Sequence, residues 1–412
     1  MNSPLNQTTK KMQLGPFEFI SLFALLTSLV ALSIDTMLPA FPAIAASYAL
    51  GDSKDTQLVI SALILGMVFG ELVFGPLSDT KGRKFAILLG MGIFCIGCIV
   101  SMTAQSFEWL LIGRVIQGVG VSGPKIASRA LIRDQYTGAS MARIMSFIMM
   151  FFILVPMLAP ALGQLIITFA TWQTIFAFFL LMTVSIGIWF SIRQNETLSE
   201  ENRIPFSLKA IAKASKSILF KPTIMAYAVT AGILFGALLL YIGMAQSIFQ
   251  DIYNIVDLFP LYFAILASGV GVSSFLNGKL VMKYGMYRLS ISALLALGCF
   301  SSLLLLVSIL SAGKPPLFWF MSISFLCFCC IGILFGNLTA MAMETLGKAA
   351  GLGASIIASS SSLVSVIFSV IAGRFYNQTT IPLAIGFICA AIIGCYLVYS
   401  AEKSKLKHAT PI

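Results

Sequence analysis

Apolar stretches of about 20 residues, the length at which a helix crosses the hydrocarbon of a bilayer, recur twelve times along this 412-residue chain. They fall at 17–44, 57–77, 85–105, 109–132, 144–168 and 171–191, then at 222–248, 257–278, 288–311, 316–338, 351–372 and 381–400. Few other features constrain a fold so tightly. Only 10% of the residues are charged, against about 25% in soluble domains, so the chain reads as a polytopic, all-α membrane protein. The first run is long and is not followed by a cleavage site and a soluble domain, so it is expected to be a span and not a signal peptide.

An even number of spans places both termini on one side, and Lys and Arg concentrate in cytoplasmic loops. With the N-terminus inside, 21 of the 26 basic residues fall in inner loops and tails or at inner span ends. Lys54, Lys314 and Arg374 are left outside, and Arg114 and Lys125 lie deep inside the fourth span. Both termini are therefore expected to be cytoplasmic. The net charge of +11 belongs to this topology and does not argue for nucleic acid.

The eight cysteines all fall within spans. "CIGC" and "CFCC" have no His or carboxylate beside them, and they are expected to pack as small hydrophobes, not to bind metal. The single histidine, His408, lies in the tail, which argues against haem ligation by histidine and against Ser–His chemistry in the membrane. The rival reading as a membrane enzyme finds no nucleophile–base motif and no metal-ligand cluster. Nothing resembles an ATP-binding loop either, so the expected energy source is an ion gradient, without a cofactor.

The interval between the two groups of spans is polar, then basic. Phe206, Ile211 and Ile218 alternate there with Lys209, Lys213 and Lys216, a pattern suited to an amphipathic helix on the anionic inner leaflet; a solvated linker is the other reading. The halves look related. "GPLSDTKGRK" follows the second span, and 203 residues later "GKLVMKYGMYR" follows the eighth, with Gly75, Leu77 and Gly82 matching Gly278, Leu280 and Gly285. "TGASMARIMS" likewise echoes "GLGASIIASS". Parallel repeats of this kind place a substrate between the halves near the bilayer midplane. The expected organisation is a six-helix bundle at 1–192, a linker at 193–221, and a second six-helix bundle with its tail at 222–412.

In "GPLSDTKGRKF", Gly75 and Pro76 are expected to end a helix, Asp79 to sit in a tight turn, and Gly82 to adopt a positive φ. Arg83 and Lys84 are expected to hold the loop at the cytoplasmic surface. The stretch resembles the loop signature of the major facilitator superfamily, G-x-L-x-D-R/K-x-G-R-R/K. Thr80 stands where a basic residue is usual, so the latch between bundles is expected to be weaker. "GRVIQGVG", with Arg114, Gln117, Gly118 and Gly120, matches that superfamily's R-x-x-Q-G-x-G pattern. "VPMLAPALGQ", with Pro156, Pro160 and Gly163, resembles its antiporter motif, Gln164 replacing a glycine. "SIDTMLPAFP" narrows the resemblance to the Bcr/CflA drug-resistance family, whose first span carries "DMYLPALP"; "SRALIRD" and "LLYIGMAQSIFQ" are similar to that family's "ARAIVRD" and "FAYISGSPFVFQ".

The resemblance implies two pseudo-symmetric six-helix bundles rocking about a central cavity in a bacterial inner membrane, and proton-coupled export of small molecules by a monomer. It also implies protonation at Asp35, a cavity lined by Tyr227, Tyr241, Gln246 and Gln117, and conformational roles for the motif glycines, prolines and charges named above.

Of fifteen acidic residues, Asp35 and Glu71 are expected deep inside spans, with Glu18 and Asp257 only at span ends. Span direction places Asp35 and Arg114 in the outer half, Glu71 and Lys125 in the inner half. Apolar surroundings favour a protonated carboxyl and a nearby cation favours the carboxylate, so an acid poised between them can carry protons, and a substrate competing for it couples the two flows. The other reading of Asp35 and Arg114 is a permanent ion pair. Glu71 replaces the family's usual Gln, and Lys125 stands where the family has a small or apolar residue. Lys125 also motivates the alternative reading of the chain as an exporter of an anionic metabolite or siderophore. The serine-rich eleventh span is expected to serve close helix packing.

Overall fold

A computed structural model describes residues 14–409 except 52, 137, 206 and 345–349. The described chain is helical. Its first half holds α1 (Pro16–Asp35), the short α2 (Phe41–Ser47), α3 (Leu58–Lys81), α4 (Arg83–Met102), α5 (Phe107–Gln135), α6 (Gly138–Phe169) and α7 (Thr174–Arg193). After α8 (Leu208–Leu219) the second half holds α9 (Pro222–Ser247), α10 (Phe259–Tyr284), α11 (Met286–Leu310), α12 (Leu317–Glu344), α13 (Ala350–Gly373) and α14 (Ile381–Ala409). Among the described residues ten helices are long and apolar enough to cross a membrane. The two further long helices are α5, which carries Arg114, Lys125, Arg129 and Arg133, and α6, whose apolar run is Leu154–Phe169. Large apolar side chains such as Phe69, Leu158, Leu181 and Ile188 are exposed on the bundle's flanks, as a lipid-facing surface requires.

The halves pack alike. In the first, α3, α4 and α5 pack mutually, α1 lies against α5, α6 and α7, and α7 covers α4 and α6. Substituting α9, α10, α11, α12, α13 and α14 for α1, α3, α4, α5, α6 and α7 reproduces each of those pairs in the second half. Between the halves α3 packs on α13 and α6 on α10, two contacts that the same exchange converts into each other.

Within lipid there is little hydrophobic force to drive helices together, and small residues that let backbones approach take over. "GRVIQGVG" shows this twice. A Cβ on Gly118 would lie 1.9 Å from the Leu63 carbonyl oxygen of α3, and one on Gly120 2.3 Å from the Phe94 nitrogen of α4. Serine does the same work between the halves: Ser359 Oγ of α13 donates to the Val68 carbonyl of α3 at 2.8 Å.

Local chemistry sets the helix ends. After Asp35 the chain continues as a 3-10 turn, Leu38–Ala40, and then α2, with Pro39 and Pro42 in first-turn positions where a missing N–H leaves nothing unpaired. The expectation that Gly75–Pro76 ends a helix is corrected: α3 runs through Pro76 to Lys81. Proline removes one hydrogen bond, which a packed membrane helix tolerates, and Thr80 Oγ1 donates to the Pro76 carbonyl at 2.9 Å. The turn is made at Gly82, whose φ of 107° favours glycine, and at the matching Gly285, with φ 77°.

Between the halves α8 forms where the basic amphipathic stretch was read. Lys209, Lys213 and Lys216 are exposed and Ile218 is buried. Phe206 and the side chain of Ile211 lie outside the described residues, as do Thr137, which opens the second internal echo, and the side chain of His408.

Candidate functional site

Asp35 ends α1, where the helix gives way to the Leu38–Ala40 turn. Its side chain is buried, the residue only 4% exposed, and Oδ1 has no hydrogen-bond partner. On the facing helix of the second half, the hydroxyl of Tyr241 and Oε1 of Gln246 are buried and likewise unpartnered, as is Thr36 Oγ1. Tyr241 lies within electrostatic range of Asp35. Its ring stacks on Phe263 of α10 at 5.8 Å and meets Phe328 of α12 edge-on at 4.8 Å. Native structures leave few buried polar atoms unsatisfied. Asp35 and the Tyr241 hydroxyl, unpartnered and within range of each other across the two halves, are groups that a bound molecule can bond.

Arg114 is at the same depth, but it is not an ion-pair partner of Asp35, and the reading of the two as a permanent pair is corrected. Its donors are spent elsewhere. Nη1 donates to Gln117 Oε1 at 2.6 Å, Nη2 to the Ser33 carbonyl at 2.7 Å and Nε to the Val59 carbonyl at 3.1 Å. The guanidinium carbon lies 5.9 Å from the centroid of the Phe176 ring. A guanidinium presents a rigid fork of donors, and here that fork fastens α1 and α3 to α5. Gln117, expected in the cavity, also donates to Cys98 Sγ at 3.2 Å, so both ends of its amide are engaged internally.

A second cluster sits closer to the Gly82–Gly285 end. Glu71 of α3 is completely buried and forms an ion pair with Lys125 of α5. Its other oxygen accepts from Ser362 Oγ of α13, 3.0 Å away in the opposite half. The sequence reading placed two basic residues inside the spans; α5 extends the set to Arg129, one turn beyond Lys125, exposed and within electrostatic range of Glu71. Glu18 likewise falls within α1, in its first turn, where Arg193 Nη2 bonds it at 2.6 Å.

At that end, Arg83 is buried and not a surface anchor, which corrects its expected place. It pairs with Asp79, donates to Ser78 Oγ at 2.9 Å, and reaches Asp134 Oδ2 of α5 at 3.0 Å. Glu196, from the segment after α7, accepts the Arg83 and Lys84 backbone N–H groups at 2.9 and 3.0 Å, where the α4 N-terminus favours an anion. Lys84 Nζ donates to the Ser191 carbonyl at 2.7 Å. Gly75 faces Ser355 of α13, whose Oγ would stand 2.0 Å from an added Cβ. Helix α6 passes through Pro156 and Pro160 unbroken. Gly163 lies so close to α1 that a Cβ would meet the Thr36 carbonyl oxygen at 2.1 Å.

The structure therefore brings Asp35 and Tyr241 within range of each other and holds Tyr227 apart on Glu402. Tyr227 donates to Glu402 Oε2 at 3.0 Å near the base of α9, with Lys405 Nζ 5.0 Å from its ring centroid. Sequence reasoning missed Ser362, Arg129, Glu196 and the carbonyls that hold Arg114. The Arg of "SRALIRD" was in view, but nothing along one chain shows which serine of a stripe meets an acid on another helix. Among the described residues no three His, Cys, Asp or Glu side chains come together as a metal site.

The family model described as Major Facilitator Superfamily matches residues 23–369. An uncharacterized MFS-type transporter, YdgK of Bacillus subtilis, is 28% identical over 93% of this chain and 95% of its own length. A bicyclomycin resistance protein homolog of Haemophilus influenzae is 28% identical, covering 96% of this chain and 98% of that protein. Among solved structures, the human organic anion transporter MFSD10 superposes with a TM-score of 0.72 over 94% of this chain and 100% of its own. At 16% identity that likeness concerns the fold alone.

Proposed function

The chain belongs to the Major Facilitator Superfamily, and from that premise we propose that it is a proton-coupled exporter of small molecules, working by alternating access. It is a multi-pass membrane transporter and not an enzyme. The likeness to a bicyclomycin resistance homolog supports drugs or toxic metabolites as cargo. Its bacterial relatives support a place in the inner membrane, and the distribution of Lys and Arg supports cytoplasmic termini. The chain acts as a monomer, its halves at 1–192 and 222–412 rocking about the linker at 193–221, with a proton gradient as the energy source.

The observation that carries the reading is Asp35: a buried carboxyl without an ion-pair partner, within electrostatic range of the unpartnered Tyr241 hydroxyl of the opposite half. A carboxyl in such a place either takes a proton or is engaged by a ligand. Competition between proton and cargo for one group links the two flows. Arg114 bonds the Ser33 carbonyl, two residues before Asp35, so movement of the end of α1 is transmitted to α5. The Arg83–Asp79–Asp134 cluster and the glycine contacts of α5 keep the first half rigid while it moves.

The test is transport in inverted membrane vesicles, where an acid interior drives uptake of exported compounds. Asp35→Asn keeps the shape and cannot exchange a proton, so uphill uptake should vanish while the protein remains in the membrane. Undiminished uphill uptake with the same pH dependence would remove Asp35 from the mechanism.

A further inference from the structure

The Glu71–Lys125 contact has three participants on the first half, not two. Lys125 and Arg129 are four residues apart on α5 and so share one face, on successive turns. Both lie within electrostatic range of one carboxylate, Glu71. Access to them is uneven. Glu71 is shut away completely, the Lys125 side chain is 23% exposed, and Arg129 is exposed. Two cations thus face accessible space while the acid that balances one of them lies behind. That acid is also held from across the bundle interface, since Ser362 Oγ of α13 grips its second oxygen at 3.0 Å.

We infer that Lys125 and Arg129 form a docking point for a carboxylate, or a comparable oxyanion, on the transported molecule, and that Glu71, held by Ser362, is the tethered occupant of that point while the halves are closed on each other. An ammonium in a low-dielectric site needs an anion beside it. The guanidinium fork one turn away can grip a carboxylate through two parallel bonds. Ser362 belongs to the half that moves relative to α3 and α5. When α13 parts from α3, Glu71 loses that restraint, and a cargo carboxylate competes with it for the same ammonium. The excess positive charge at this level disfavours lipophilic cations. The inference rests on the exporter reading and gives that reading a class of cargo.

Binding to the purified full-length protein in phosphatidylcholine nanodiscs tests it without any gradient. The probes are ciprofloxacin and its ethyl ester, which differ by the carboxylate. Lys125→Ala alone would strand a buried carboxylate, so the informative pair is Glu71→Gln against Glu71→Gln/Lys125→Ala. The wild type should bind the acid more tightly than the ester. Glu71→Gln should widen that preference by about tenfold, the scale of one close charge pair. The double variant should abolish it, and Arg129→Ala should narrow it. Equal affinity for acid and ester in both the wild type and Glu71→Gln overturns the inference, as does a preference that survives in the double variant. Loss of the acid preference when phosphatidylglycerol is added would make the occupant a lipid headgroup and overturn the assignment to cargo. An acid preference without any uphill uptake in inverted vesicles would leave this site standing and refute the exporter reading; uphill uptake without an acid preference would do the reverse.

Discussion

The two halves share a packing plan and differ in what they put inside it. Helices α3 and α5 are joined in the first half by Glu71 and Lys125. Their counterparts α10 and α12 are joined by Asn277 and Asn337, whose amides exchange hydrogen bonds of 2.9 and 3.0 Å. Asp35 and Arg114 also lie in the first half, whereas the second brings the Tyr241 hydroxyl within electrostatic range of Asp35. One architecture thus supports a charged junction between its second and fourth long helices in one half and a neutral amide junction in the other. The difference teaches where the halves meet electrically: the charged junction is bonded from across the interface by a neutral group, Ser362 on Glu71.

The contrast breaks most visibly at Lys125. Lys125→Ala leaves Glu71 buried without its partner, and removing one member of a buried pair costs about 3–5 kcal/mol. The variant should melt well below the wild type in detergent, and Glu71→Gln should restore it; a small loss for the single variant would show that water reaches Glu71. Asn277→Ala strands a neutral amide on Asn337, and the smaller loss of about 1–3 kcal/mol should appear in the same melting series. If it equals the Lys125 effect, the two halves are not energetically distinct at this level.

The matched glycines sharpen the comparison further. Both Gly82 and Gly285 have positive φ, so alanine strains each backbone by roughly 1–2 kcal/mol. Only at Gly82 does an added Cβ meet another group, Glu196 Oε2 at 2.3 Å, whereas Gly285 faces open space. Gly82→Ala should therefore cost more stability than Gly285→Ala. Equal costs in the melting assay would mean that Glu196 moves aside freely.

How much of this could be read from the chain follows the range of the interaction. Spans, their direction and the 203-residue repeat are written in local hydropathy and glycine spacing, and the helices fall within a few residues of them. Depth followed from direction, so Asp35 and Arg114 were placed at one level, and Glu71 with Lys125 at another. Partnership did not follow, because it depends on how helices rotate against one another: Arg114 turned to the Ser33 and Val59 carbonyls and left Asp35 without an ion pair. Pro76 misled for the opposite reason, a strong local rule overridden by packing. Tyr227 was grouped with Tyr241 through the family resemblance, although fourteen residues of helix, about 21 Å of rise, separate them.

The segment after α7 sets a limit on how far the molecule can work. Glu196 holds it to the start of α4, and the Ile204 N–H bonds the Asp79 carbonyl at 3.1 Å, so everything up to Ile204 travels with the first half. Helix α8, beginning at Leu208, packs on α9 and α13 and travels with the second. The leash between them is four peptide units, which reach about 14 Å when fully drawn out. In the alternating-access cycle proposed above, that reach caps the stroke at this edge: a wider gape must first pull Glu196 off α4 or peel α8 from its seat.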